Sequence, residues 1–150
     1  GDRMPYRRRS MNVQMELSRI LIREVVDHQI IELREKDAVD ESDARRFPIV
    51  IGLPEAQAIE RRLKGIDIKR PQTHDLLASV IERLGAELES ICINDLSEHT
   101  FFALLTVRDR DGDLIEIDSR PSDAIALGIA GSVPIFVAEH VLESASQEPL

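Results

Sequence analysis

The sequence predicts a single α+β domain with a mixed, largely antiparallel sheet and about three helices. Three observations predict it. Apolar residues alternate in short runs, as at Val13, Met15 and Leu17 and again at Phe101, Ala103, Leu105 and Val107, which is the two-residue period of a strand. Helical stripes are interspersed among these runs, and strands follow one another through tight turns rather than regular crossovers. With 150 residues, 43% of them hydrophobic, the chain sits near the modal domain size and can bury roughly 68–70% of its unfolded surface.

The elements follow in order. Residues 1–10 are polar, with Arg3, Arg7, Arg8 and Arg9, and are expected to be a tag remnant or flexible arm outside the domain, which is assigned to residues 11–143. The alternation from Val13 continues to Ile20 and Ile22, and Ile30, Ile31 and Leu33 resume after the polar Asp27-His28-Gln29, so a strand, a turn and a second strand are expected. Residues 36–46 are charged or small without periodicity and read as a solvated loop. Phe47-Pro48-Ile49-Val50-Ile51 is a short strand ended by Gly52.

Leu53-Pro54-Glu55 opens a helix, because Pro suits the first helical position and Glu the positive end of the dipole. Its stripe is Ala56, Ile59 and Leu63, and Gly65 stops it. A second helix starts near Thr73, with Leu76, Leu77, Val80, Ile81 and Leu84 expected on a buried face and Gly85 at its end. Leu88, Ile91 and Ile93 lead a strand into Asp95. Asp111-Gly112 supplies the positive backbone angles of a hairpin turn, so the strand from Phe101 returns through residues 114–118. A third helix is expected after Ser119-Arg120-Pro121-Ser122-Asp123, and Pro134-Ile135-Phe136-Val137 closes the set of strands. Residues 144–150 are expected to fray.

Composition excludes several classes of function. No apolar run approaches the roughly 20 residues of a membrane helix, and the start lacks a secretory apolar core, so a cytoplasmic protein is expected. One cysteine, Cys92, allows no internal disulfide and no zinc ribbon or CxxC redox site. Flanked by Ile91 and Ile93, it reads as a reduced thiol packed like a small apolar side chain, with a nucleophile as the minority reading. Aromatic residues make up 3%, too few for a platform that stacks bases. A net charge of -9 argues against indiscriminate coating of duplexes.

No HExxH, GxSxG, Walker or GxGxxG signature is present. What remains are polar clusters at element boundaries. Lys69-Arg70-Pro71-Gln72-Thr73-His74-Asp75 precedes the second helix. Arg70 beside a helix N-terminus is an anion site, Thr73 can cap amides, and His74 can act as acid or base; the plainer reading is a capped helix with a surface histidine. Asp118-Ser119-Arg120-Pro121-Ser122-Asp123 has the same layout, an Arg-Pro followed by a hydroxyl and an Asp. There Arg120 either pairs with Asp118 or Asp123 or contacts a phosphate. Asp95, with Glu98, His99 and Thr100, lies between two strands. Hard oxygen ligands for a divalent metal would come from Asp95, Asp118 and Asp123. Asp109, Asp111 and Asp113 belong to the hairpin turn, and His28 and His140 receive no role. Arg61, Arg62, Lys64, Lys69 and Arg70 form either an ordinary solvated face or a track for phosphates.

Four motifs together resemble the bifunctional nuclease domain family: Phe47-Pro48-Ile49-Val50-Ile51-Gly52 with Glu55-Ala56; Arg70-Pro71-Gln72-Thr73-His74-Asp75-Leu76; Asp95-Leu96 with Thr100-Phe101; and Ile117-Asp118-Ser119-Arg120-Pro121-Ser122-Asp123-Ala124-Ile125-Ala126-Leu127. The last is the most specific, and the likeness covers residues 11–142. The resemblance implies an α+β domain found in bacteria and plants whose members are described as cleaving DNA and RNA. Arg70, Thr73, His74, Asp95, Arg120, Ser122 and Asp123 match its motifs.

The expectation is therefore a cytoplasmic nuclease of low sequence specificity, probed through phosphates rather than bases. Arg70, Thr73, Arg120 and Ser122 would bind phosphate. His74, Asp95 and Asp123 would be catalytic, and Asp118 with Asp123 would hold Mg or Mn. The alternative is a noncatalytic oligomeric module that binds an anion or a protein. Self-association is expected in either case, with a dimer as the default. A shared pocket requires His74 and Asp123 to lie within about 15 Å of each other, since acid–base groups must reach one substrate.

Overall fold

The computed structural model describes residues 12–147; the expected arm at residues 1–10 lies outside them, as do residues 148–150. The strands are β1 (Asn12–Leu21), β2 (Gln29–Glu35), β3 (Arg46–Ile51), β4 (Glu87–Ser97), β5 (Thr100–Arg108), β6 (Leu114–Ser119) and β7 (Ile135–Ala138). The helices are α1 (Leu53–Lys64), α2 (Thr73–Arg83), α3 (Pro121–Gly128) and α4 (Glu139–Gln147), with 3-10 turns at Glu41–Asp43 and Ile129–Gly131. The fold is a single α+β domain, as expected, with four helices instead of about three. The addition is α4, which carries buried Val141, Leu142 and Ala145 and runs on as helix through residues 144–147, where fraying was expected.

One seven-stranded sheet has the order β3-β2-β1-β7-β4-β5-β6. Every neighbouring pair is antiparallel except β7 and β4, so the sheet is mixed and largely antiparallel. Alternation places Ile31, Leu33, Phe47, Ile49, Ile91, Ile93, Ala103, Leu105 and Val107 in the core, on the face the helices cover. Phe47 of β3 stacks on Phe101 of β5, centroids 5.6 Å apart, although four strands lie between theirs in the sheet order.

The turns behave as their residues dictate. Between β1 and β2 the buried Gln29 donates from Nε2 to the carbonyls of Arg23 and Val26, both at 2.9 Å, and accepts from the Arg23 amide. The Asp109 carboxylate accepts from the amides of Asp111 and Asp113, and Gly112 takes the positive φ of 89°. The charged loop before β3 is tied down rather than merely solvated. Arg45 donates to Glu35 at 2.8 Å and, through both terminal nitrogens, to Glu139 on α4.

The helix following β6 is the most deeply set. Seven of its residues are buried, from Pro121 and Ser122 to Gly128. A Cβ at Gly128 would come within 2.7 Å of Ile91 Cδ1 and 3.1 Å of Val133 Cβ, so only glycine lets α3 lie this close to the sheet. By contrast, α2 buries no residue fully: of its expected core stripe, Ile81 packs against the core, while Leu76, Leu77, Val80 and Leu84 are exposed. The stripe keeps its helical period, and no other element among the described residues covers these four side chains.

Candidate active site

Sequence order places Arg70-Pro71 and Arg120-Pro121 50 residues apart, and the fold joins their clusters. His74, in the first turn of α2, donates from Nε2 to Asp123 Oδ1 on α3 at 2.9 Å. The other Asp123 oxygen accepts from Arg120 Nε at 2.9 Å, and Arg120 Nη1 reaches Glu55 on α1 at 3.2 Å. Three helix N-termini thus meet in one chain of side chains, Glu55–Arg120–Asp123–His74.

Local sequence explains each position. Pro54 and Pro121 start α1 and α3, where a missing N–H costs nothing. Glu55 and Asp123 then fall in the first turns, favoured by the positive end of the helix dipole. Gly52 before α1 leaves room for the Glu55 carboxylate: a Cβ there would run into Glu55 Oε2 and push it aside.

The electrostatics couple the group. Burial pushes the Asp123 carboxyl up, but hydrogen bonds from Arg120 and His74 outweigh it and hold it below the usual carboxylate range. Hydrogen bonds to Asp123 and then Glu55 hold the proton on Arg120 more firmly than in a free guanidinium. His74 is only 13% exposed. With Nε2–H given to Asp123, Nδ1 is the proton acceptor of the neutral ring. Arg120, 62% exposed, spends Nε and Nη1 on carboxylates and keeps Nη2 for another partner.

A cleft of about 600 Å³ opens beside this group, lined by Glu55, Arg120 and Ser122 together with His28, His99 and Thr100. That volume suits a small ligand or a single monomer unit of a polymer. Ser122 is buried in its wall. His99 lies in the two-residue β4–β5 turn, where Glu98 and His99 have φ of 51° and 64°, angles that favour Asn-Gly.

Other candidate residues are placed elsewhere. Asp118 pairs in register with Leu104, one step off the core residues Ala103 and Leu105, so its side chain leaves the sheet on the face away from the helices. It thus lies on the face of the sheet opposite α3, which carries Asp123. Among the described residues no group of three or more His, Cys, Asp or Glu is arranged to hold a metal ion. Asp95 accepts from the Leu96 amide at 2.9 Å and lies 3.5 Å from Nε2 of His140, a partner the sequence did not assign. Arg120 pairs with Asp123 and not with Asp118. Thr73 is exposed and is the first helical residue, while Gln72 is the cap and its amide donates to Asp75 at 3.0 Å. Arg70 and Lys69 are exposed just before α2.

The basic track is shorter than the sequence suggested. Arg62 is 9% exposed and donates to the carbonyls of Ala126 and Leu127 at 2.6 and 3.1 Å and to Asp75. Arg61 also pairs with Asp75, at 3.0 Å. Both are internal ties between α1, α2 and α3. Although burial raises it, the Asp75 carboxyl is held low by the Gln72 amide and these two arginines. Cys92 is half-buried, and burial together with Glu116 pushes its thiol up to about 11, which leaves it protonated and unreactive at neutral pH. Glu55 is the residue sequence reasoning missed. Its family motif was visible, but it was assigned only to the helix dipole.

The family model described as the bifunctional nuclease domain matches residues 37–149, and the chain belongs to that family. It is 44% identical over 101 residues to an uncharacterized protein of Mycobacterium tuberculosis strain H37Rv, an overlap of 67% of this chain and 59% of the relative. It is 24% identical over 122 residues to bifunctional nuclease 1 of Oryza sativa subsp. indica, covering 80% of this chain and 36% of that protein. Bifunctional nuclease 2 of Arabidopsis thaliana is 25% identical over 101 residues, 65% of this chain and 30% of its own. The chain thus spans about three fifths of the mycobacterial relative and about a third of the plant ones. No helix among the described residues is long and apolar enough to cross a membrane.

Proposed function

We propose that the protein hydrolyses phosphodiester bonds of DNA and RNA with little sequence preference. The observation that carries this reading is the 2.9 Å bond between His74 Nε2 and Asp123 Oδ1 beside Arg120. Asp123 fixes the ring and its tautomer, leaving Nδ1 to take a proton from an attacking water. The imidazolium so formed is stabilised by the same carboxylate and can return the proton to the leaving oxygen. Arg120 Nη2 and the exposed Arg70 would hold phosphate oxygens, with Thr73 and Ser122 as neutral donors. Asp123 acts in this scheme through His74. Asp95 is turned to Leu96 and His140 and takes no part. Asp118 leaves the sheet on the face opposite α3, so the scheme uses Asp123 through His74 and routes no step through a metal. With few aromatic side chains to stack bases, the grip is on the backbone, so selectivity for sequence is poor.

One observation favours the second reading, a noncatalytic module that binds an anion or a protein. Arg120 is shared by two carboxylates, so the cluster is not cationic and an incoming phosphate must displace Glu55 to gain a strong contact. Incubating purified protein with labelled single-stranded DNA and RNA, with Mg, with Mn and with chelator, separates the two. The nuclease reading expects cleavage that co-elutes with the protein peak. Intact substrates under all three conditions would overturn it.

A further inference from the structure

The exposed stripe on α2 is the surface that the site does not explain. Leu76, Leu77, Val80 and Leu84 on α2, with Ile115 and Ile117 on β6, are between 41% and 66% exposed. The two elements run side by side. At one end His74 is bonded to Asp123, just after β6; at the other a Cβ at Gly85 would lie 3.2 Å from Arg110 Cβ, in the turn that starts β6. Ile115 and Ile117 pair with Val107 and Leu105 and so stand on the helix-covered face of the sheet, which ends at this edge without a cover.

Three features point to a second copy of the chain as the occupant. First, the six side chains leave roughly 600 Å² of apolar surface in water, at the upper limit of the largest patches on monomers and, with a polar rim, near the ~800 Å² per partner of a standard interface. Second, the stripe is self-complementary. Leu76, Val80 and Leu84 are spaced by four about Val80, so an antiparallel copy related by a two-fold axis at Val80 sets Leu76 against Leu84 of the partner subunit, and the helix dipoles then oppose each other favourably. Third, the stripe is electrically neutral. Asp75 is bonded to Arg61 and Arg62, His74 to Asp123, and the exposed Glu82 and Arg83 between Val80 and Leu84 offset each other. Two chains of net charge -9 repel except where such a balanced patch allows approach.

We propose that the protein is a two-fold dimer whose interface is the α2 stripe flanked by the β6 edge. A helix of 11 residues with none fully buried, packed on the core only through Ala78 and Ile81, draws little stability from its own chain; the partner adds packing and so steadies His74, which precedes Leu76 by two residues. The test is the mass in solution by light scattering after size exclusion. The wild type is expected at twice the 16.9 kDa of one chain, and Val80→Glu and Leu84→Glu at the mass of a single chain. Val50→Glu, on another exposed apolar position, should leave the dimer intact. If Val80→Glu loses its helical circular dichroism, Val80→Cys treated with a short bis-maleimide serves instead, and a covalent dimer is expected. A wild type monomeric at every concentration, a dimer unaffected by Val80→Glu and Leu84→Glu, or absence of the Val80→Cys cross-link would each overturn the proposal and leave the stripe to a different protein.

Discussion

Helices α2 and α3 hold the two halves of the candidate site, and they are fastened in opposite ways. All but one residue of α3 are buried, whereas α2 buries none fully and is held by the half-buried Ala78 and Ile81 against the core and by polar ties: Asp75 to Arg61 and Arg62, and His74 to Asp123. Asp123 therefore stands on a rigid base, and His74 on an element whose position depends on a thin apolar contact, a few hydrogen bonds and whatever covers its exposed stripe. A packed helix can hold a charged residue in place; a lightly packed one can be steered by assembly.

That contrast predicts a hierarchy of effects. Ile125→Ala, at a fully buried position of α3, should cost about 2–5 kcal/mol in chemical denaturation, while Leu76→Ala at an exposed position of α2, measured at dilution where chains are separate, should stay within about 0.5 kcal/mol. Equal costs would mean that α2 is packed after all. Arg62→Ala removes the tie among α1, α2 and α3 and should cost about 2–3 kcal/mol, since two carbonyls and Asp75 lose a charged donor. A loss below about 0.5 kcal/mol would show that these contacts do not anchor α2.

The pH dependence sharpens the comparison further. The folded Asp123 carboxyl is held below its ordinary value, so its contribution is complete above about pH 5 and is lost as pH falls through the folded value, below about 3.9. Thermal unfolding from pH 7 to pH 3 should therefore fall less steeply in Asp123→Asn than in the wild type. The difference should be modest because Asp123 is 35% exposed and partly screened. The smallest effect is in the β4–β5 turn. Glu98→Asn places a residue that tolerates positive φ at 51° and should raise stability by about 0.5 kcal/mol, read as a higher unfolding midpoint.

Much of the fold was legible because its signals are local. Alternation at Phe101 to Val107, the Pro that starts α1 and the Asp-Gly hairpin each act over a few residues, and each appears where expected. The site's central pair was legible too, since Arg-Pro followed by a hydroxyl and Asp marks two helix starts. Non-local features were not. Nothing near Ile135 says that β7 lies between β1 and β4, and the i, i+4 stripe of α2 specifies that a face is apolar without saying what buries it. Arg61 and Arg62 look like surface charges until Asp75 and the α3 carbonyls are brought beside them. Asp118 and Asp123 are five residues apart in sequence, but a strand pleat intervenes and turns Asp118 to the other side of the sheet. Helix α4 was missed because Val141, Leu142 and Ala145 make a short stripe in an otherwise polar end.

The claim on which the account turns is that His74, oriented by Asp123, moves the proton in phosphodiester hydrolysis. The rate of cleavage of single-stranded RNA and DNA against pH, for wild type, His74→Ala and Asp123→Asn, tests it directly. The account predicts that His74→Ala lowers kcat by about 10²–10⁴-fold and abolishes the histidine limb of the profile, and that Asp123→Asn lowers kcat with KM little changed. Cleavage by His74→Ala at the wild-type rate, with an unaltered pH profile, would contradict it.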